Sequence, residues 1–290
     1  MTTRSPATPA SIHRPVGFLG AGNMGGAIVR GLVDAGTVPN LAIADRDAGK
    51  QRAFADLGCS AHADVASMLD WLRATEAAPG DGVLVVGCKP QGLPETGPEI
   101  AKALQADSDT ERLVISIVAG VTAEAVRQHV GSRSRIVRIM PNTPVAIRRG
   151  CSALVRGSTA TNEDATLART LFEAVGLVIE IDEAEMDAFS ITVGSGPAYV
   201  FLLAELLADA GAAAGLDRVQ ALQAIIATTA GAADMLAASS ETPEQLRANV
   251  TSPGGMTARA IETLDDAGIR DAFVRAVEAG RDRGRELSRS

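Results

Sequence analysis

Residues 16–25 read Val16-Gly17-Phe18-Leu19-Gly20-Ala21-Gly22-Asn23-Met24-Gly25, a short apolar run that passes straight into a G-x-G-x-x-G opening a helical pattern. Each glycine has its own task in such a motif. Gly20 makes the tight turn, Gly22 lets the backbone approach a pyrophosphate, and Gly25 lets helix and strand pack, while the helix start offers its amides to the anion. The motif by itself is a weak signal. After a strand, before a helix and at the head of the first βαβ unit, it predicts a dinucleotide-binding domain.

The rest of the first half agrees. Leu41–Ala44, Val83–Val86, Leu113–Ile117 and Ile136–Ile139 are continuous apolar runs like Val16–Leu19, and each reads as a strand buried on both faces of a parallel sheet. Helical patterns lie between them: Met24 to Ala35 stops at Gly36, and Asp47 to Leu57 stops at Gly58, each glycine standing where a left-handed cap is needed. After about Ile181 every segment reads as helix. Tyr199, Leu202, Leu203, Leu206, Leu207 and Ala210 recur at helical spacing with Glu205 and Asp209 opposite. Thr242-Pro243-Glu244-Gln245 is a capping box, and a last helix covers about Ile269 to Leu287. The expected architecture is an α/β, Rossmann-type doubly wound parallel sheet over residues 15–182, followed by an all-α domain over 183–290. Residues 1–14 read as a disordered tail. Two Ala/Gly-rich stretches, Ala208 to Gly215 and Ala227 to Ala238, suit either an intertwined dimer or an ordinary Ala-rich bundle.

Composition narrows the function classes. The 290 residues are 46% apolar and carry a net charge of −8, with 3% aromatic residues. An acidic chain whose densest basic run, Arg133 to Arg149, has no interleaved aromatics is not expected to bind nucleic acid. The longest apolar stretch, Tyr199 to Leu216, is broken by two acids, so no membrane span is expected. Cys59, Cys88 and Cys151 form no CxxC pair, which fits a reducing, cytoplasmic setting. His13, His62 and His129 lack ligand spacing, and no metal site is expected. Lysine occurs only at positions 50, 89 and 102.

Candidate site residues follow from where strands end. At the end of the second strand, Asp45 would accept from a free 2′-hydroxyl and favour NAD, whereas Arg46 would pair with a 2′-phosphate and favour NADP; the reading leans to NADP. Cys88-Lys89-Pro90-Gln91, Ile117-Val118-Ala119-Gly120 and Met140-Pro141-Asn142-Thr143-Pro144 fall at the same carboxyl edge. In the helical half, Gly194-Ser195-Gly196-Pro197 and Ser252-Pro253-Gly254-Gly255-Met256-Thr257 each precede a helix and leave amides uncovered for an anion. On residue type alone, Thr257 reads as a helix cap.

Taken together, the glycine motif, Lys89-Pro90-Gln91, Met140 to Pro144, Gly194-Ser195-Gly196-Pro197-Ala198-Tyr199 and Val250-Thr251-Ser252-Pro253-Gly254-Gly255 resemble the pyrroline-5-carboxylate reductase family over residues 16–288. The resemblance implies reduction of 1-pyrroline-5-carboxylate to L-proline with NADPH or NADH. It also implies a homodimer built through the helical domain and able to form a larger ring such as a decamer. Carried over by position, it implies cofactor contacts from Leu19, Gly20, Ala21, Gly22, Asn23, Met24, Gly25, Arg46, Gly87, Cys88, Lys89, Pro90, Ile117, Val118, Ala119 and Asn249. It implies substrate contacts from Glu183, Ser195, Gly255, Met256 and Thr257, with Thr257 as the catalytic residue, which overrides the capping reading. Cys88 stands where the family usually has Val, and Val193 where a Ser often precedes the Gly-Ser-Gly segment.

An iminium is already electrophilic, so the expected chemistry is alignment rather than metal or strong-acid catalysis. Two other oxidoreductases share this layout. A β-hydroxyacid dehydrogenase resembles its relatives in using a helical-domain lysine, and residues 183–290 have none. A ketol-acid reductoisomerase needs clustered carboxylates, and Glu183, Glu185 and Asp187 do not share one helix face. A non-catalytic dinucleotide sensor has no need of the Ser-Pro-Gly-Gly loop.

Overall fold

The computed structural model describes residues 11–107 and 110–289. Eight strands form one sheet: β1 (Val16–Leu19), β2 (Leu41–Ala44), β3 (Ser60–His62), β4 (Val83–Val86), β5 (Arg112–Ser116), β6 (Ser134–Pro141), β7 (Gly150–Arg156) and β8 (Gly176–Glu180), in the order β3-β2-β1-β4-β5-β6-β7-β8. The five predicted runs are all strands. Their alternate residues serve two different cores: Val83 and Val85 pack on one face, Leu84 and Val86 on the other, and all four are fully buried. That two-sided burial is why these strands read as unbroken apolar runs.

Helices α1 (Asn23–Ala35), α2 (Ala48–Ala55), α3 (Val65–Thr75), α4 (Leu93–Leu104), α5 (Ala123–Val130) and α6 (Asn162–Glu173) cover the sheet. Ile28, Val29 and Leu32 of α1 and Leu171 and Phe172 of α6 fill one core. Met68, Leu69 and Leu72 of α3, Ile100 of α4 and Val126 of α5 fill the other. Gly36 caps α1 at φ 64, as its position predicts. α2 is shorter than the sequence pattern, ending before Asp56, although Gly58 does take a positive φ of 87.

The sheet departs from a purely parallel one. β7 runs antiparallel to β6, because a single tight turn over Thr143–Ile147, closed by Arg148 in the left-handed region, joins them. A connection that short permits only an antiparallel return. β8 is then parallel to β7 across α6. The start of β8 depends on Gly176, where a Cβ would collide with the backbone of Gly150. Of the tail expected over residues 1–14, the first ten lie outside the described residues. Ile12 is buried, and its amide donates to the Thr37 carbonyl at 2.8 Å.

Beyond β8 come α7 (Met186–Phe189), a π-helical turn over Ser190–Gly194, α8 (Gly196–Ala213), α9 (Arg218–Ala238), α10 (Pro243–Asn249), α11 (Met256–Asp266) and α12 (Ile269–Arg289). Chain contacts form two compact units: one reaches Gly194 and takes in residues from Arg283 onward, and the other is Ser195–Asp282. Inside the second unit, α8 and α9 approach through small residues. Ala208 and Ala221 are buried, and a Cβ on Gly211 would already touch that of Ala221 at 3.4 Å.

The large apolar side chains of α8 are exposed among the described residues. Phe201 is 68% exposed and Leu206 57%, with Leu202, Leu203 and Leu207 also exposed. The sequence reading expects no span, yet residues 183–213 and Arg218–Ala238 are both long and apolar enough to cross a membrane by length and hydropathy. Glu205 and Asp209 are too few to offset the leucines and alanines around them. This uncovered apolar surface calls for an occupant.

Candidate cofactor and substrate residues

The carboxyl ends of β1, β2, β4 and β5 lie side by side and bring most of the predicted cofactor residues together. The Gly87 amide donates to the Leu19 carbonyl at 2.8 Å, the Gly20 amide to Ala44 at 2.9 Å, and the Ile117 amide to Val86 at 2.9 Å. Gly20 has φ 95, and a Cβ there would sit 3.0 Å from the Gly87 carbonyl oxygen. A Cβ on Gly25 would strike the Gly20 carbonyl oxygen, whereas one on Gly22 would have nothing within 4 Å. Two glycines are therefore forced by packing within the chain. The third leaves an open cradle at the start of α1, where Gly22 is the N-cap and no side chain caps the helix. Uncapped amides facing an open glycine suit a pyrophosphate, so these residues fit a dinucleotide.

Asp45 behaves differently from a simple ribose reader. Its Oδ2 accepts from the Ala21 amide at 3.0 Å and from Lys50 Nζ at 3.0 Å, and its Oδ1 from the Asp47 amide at 3.0 Å. Burial pushes this carboxyl up, but the Asp47 amide, the Lys50 ammonium and the Ala21 amide outweigh it and hold Asp45 below its ordinary value. Arg46 is exposed and faces Glu95 at 3.5 Å and Glu99 at 3.8 Å, both on α4.

On the other side of β1, Cys88 is half-buried, and burial raises its thiol pKa, which suits a small apolar residue more than a reactive one. Lys89 is exposed and Pro90 begins a 3₁₀ turn. Ile117 and Val118 are buried, and Ala119 is exposed in the loop before α5. That loop is pinned by Glu183, which accepts from the Ala123 amide at 3.1 Å and from the guanidinium of Arg138 on β6. Arg138 is 4% exposed. Asn142, at the end of β6, accepts from the Cys151 amide at 2.8 Å and donates to the Val193 carbonyl at 3.2 Å.

The remaining predicted residues, Ser195, Asn249, Gly255, Met256 and Thr257, belong to the second unit. Gly255 is the N-cap of α11 and, like Gly22, is accompanied by no side-chain cap. The first intrahelical bond runs from Arg259 to the Gly255 carbonyl at 3.1 Å, so the amides of Met256 and Thr257 lie ahead of it. Thr257 follows the N-cap by two positions and does not cap the helix. Met256 is 93% exposed. Asn249 donates from Nδ2 to both oxygens of Glu241, at 3.1 and 3.2 Å.

Sequence reasoning missed Glu241, Arg138, the bracing of the glycine loop by Asp45 and the twofold engagement of Asn142. Each acts through a partner distant in the chain or through a polar residue that composition does not single out. The two prolines around Asn142 and Thr143 were the one available signal for that loop.

Comparison with known proteins bears on both halves. Residues 183–287 match the family model described as pyrroline-5-carboxylate reductase dimerisation, and residues 15–120 match NADP oxidoreductase coenzyme F420-dependent. The pyrroline-5-carboxylate reductase of Pisum sativum is 36% identical, the match covering 94% of this chain and 96% of that one. That of Pseudomonas aeruginosa is 35% identical over the same shares. The structure of the Coxiella burnetii pyrroline-5-carboxylate reductase has a TM-score of 0.85 at 34% identity, covering 96% of this chain and 100% of that one. The Plasmodium falciparum pyrroline carboxylate reductase, solved with NADP bound, has a TM-score of 0.79 at 26% identity, covering 96% and 100%. With an open glycine cradle on one unit, an uncapped Gly-Gly helix start on the other and a dimerisation module across the exposed helices, the chain belongs to the pyrroline-5-carboxylate reductase family.

Proposed function

We propose that the chain reduces 1-pyrroline-5-carboxylate to L-proline with NADPH in preference to NADH, as a cytoplasmic homodimer that assembles further into a ring such as a decamer. Membership of the family makes it an oxidoreductase acting on a carbon–nitrogen double bond with a nicotinamide dinucleotide. The observation that carries the substrate assignment is the uncapped start of α11, where consecutive amides stand at a positive helix end with no side chain competing for them. That is a seat for a small carboxylate.

In this reading the amides of Met256 and Thr257 hold the substrate carboxylate, and the Thr257 hydroxyl hydrogen-bonds the ring nitrogen. Leu19 to Gly25 and Arg46 hold the phosphates of the cofactor, while Gly87 to Pro90 and Ile117 to Ala119 border its nicotinamide. The bound reduced nicotinamide supplies the hydride. Fixing the reacting partners contributes several kcal/mol of barrier reduction, and no further group is needed for an electrophilic iminium. Exposed leucines on α8 and the dimerisation match support the homodimer. Three free cysteines fit a reducing compartment.

The test is NADPH and NADH oxidation with pyrroline-5-carboxylate, run beside a 3-hydroxyacid with oxidised cofactor. Turnover of the imine alone supports the reading. Turnover only of the hydroxyacid would replace it with a dehydrogenase, and binding without turnover would replace it with a sensor.

A further inference from the structure

Lys50 stands where helix energetics disfavour it. Asp47 is the N-cap of α2, so Lys50 is the third helical residue, and an ammonium in a first turn opposes the positive end of the helix dipole. Its ammonium is instead held 3.0 Å from Asp45 Oδ2, the same oxygen that accepts from the Ala21 amide of the glycine loop. Asp45 is nearly covered, with its side chain 12% exposed, and its backbone carbonyl is taken by Gln51 Nε2 at 2.7 Å.

An unpaired carboxylate at this strand end accepts from a 2′-hydroxyl and repels a 2′-phosphate, which carries close to two negative charges. Here the carboxylate has three donors in contact, one of them a cation. We infer that Lys50 determines cofactor preference: it neutralises Asp45 against the Ala21 loop, turning a residue that selects NADH into a brace that tolerates the 2′-phosphate of NADPH. Arg46 supplies attraction for that phosphate, and Lys50 removes the repulsion. The inference depends on the dinucleotide reading above and adds the residue that decides between the two cofactors.

The experiment is titration of NADPH and NADH by the fluorescence of the reduced nicotinamide on the full-length wild type, Lys50→Met, Lys50→Arg and Asp45→Asn/Lys50→Met. The ratios of kcat/KM for the two cofactors are measured alongside. In Lys50→Met the affinity ratio of NADPH to NADH falls by about tenfold or more, while Lys50→Arg keeps it within about threefold of wild type. In the double variant the ratio recovers to within about threefold, because no carboxylate charge is left to neutralise. A fall of less than about fivefold in Lys50→Met, or a fall that the double variant does not reverse, overturns the inference. A wild type that titrates with neither cofactor refutes the dinucleotide reading itself. Titration without imine turnover refutes only the substrate assignment, and the affinity ratios still decide the role of Lys50.

Discussion

Asn142 ties the end of β6 to the π-helical turn: its Nδ2 donates to the Val193 carbonyl at 3.2 Å while its Oδ1 accepts from the Cys151 amide at 2.8 Å. π-turns occur often at functional sites, and this one ends at Gly194, immediately before Ser195. Asn142→Ala removes two hydrogen bonds worth about 1 kcal/mol each. The melting temperature is expected to fall by roughly 4–8 °C, and kcat/KM for the imine by about tenfold. Asn142→Asp keeps the Cys151 bond and loses the donor to Val193. If the π-turn is what matters, Asp restores melting more than it restores kcat/KM.

Thr257→Ala tests the catalytic assignment. Loss of the hydroxyl lowers kcat/KM by at least about tenfold, or ~1.4 kcal/mol, while NADPH affinity measured by titration stays within about twofold. Thr257→Ser recovers most of the loss. An unaffected kcat/KM in the Ala variant rules out the role.

Arg46 faces Glu95 and Glu99 at the surface, and exposed pairs of this kind are worth about 0–1 kcal/mol. A 2′-phosphate competes with them for the guanidinium. Glu95→Gln/Glu99→Gln is therefore expected to tighten NADPH by about two- to fivefold, within that range of pair energies, and to leave NADH unmoved. Arg46→Ala weakens NADPH by about tenfold relative to NADH. Equal losses for both cofactors would show that Arg46 does not read the phosphate.

Far from the site, Arg112 is fully buried and pairs with Glu76 at 2.9 Å. Burial pushes the Glu76 carboxyl up, but Arg112 and the amides of Gly80 and Gly82 more than offset it, so its pKa lies below the ordinary value. A depressed carboxyl contributes stability above its unfolded pKa and loses it as pH falls through its folded one. Asp45 and Asp164 are depressed as well. Stability is thus expected to hold from neutral pH down to about pH 5 and to decline below the ordinary carboxyl range near pH 4. Glu76→Gln removes the countercharge of a buried guanidinium, which keeps its bond to the Gly82 carbonyl, and costs about 3–5 kcal/mol. The same variant also shows a shallower loss of stability with acid, which chemical denaturation at pH 7 and pH 4 measures.

Leu203 and Leu206 on α8 are 50% and 57% exposed in a chain whose helical half matches a dimerisation module. Leu203→Asp/Leu206→Asp buries two carboxylates if copies associate here, at a cost of several kcal/mol each. Analytical ultracentrifugation should find monomers in place of the wild-type oligomer. An unchanged oligomer would place the interface elsewhere.

The sheet was readable because its central strands are apolar on both faces, a pattern that needs no partner to be recognised. β7 and β8 escaped. Gly150-Cys151-Ser152 opens β7 with small residues, so its buried stretch, Ser152 to Val155, has few large apolar side chains, and β8 leaves Leu177 60% exposed and Ile179 40% exposed at the sheet edge. The glycine loop was legible for a related reason, since glycine acts through backbone geometry that the motif itself specifies. Asp45 and Asn142 act through side-chain bonds to positions 24 and 51 residues away, and spacing along the chain does not encode those. The spacing of leucines marks α8 as a helix, but spacing alone leaves open whether its neighbours are helices of the same chain or of a second copy.

The most direct measurement of the central claim is the fate of the hydride. With NADPH deuterated at the transferring C4 position and pyrroline-5-carboxylate as substrate, the account predicts L-proline carrying one deuterium at C5, identified by mass spectrometry. Absence of proline, or proline without the label, would contradict it.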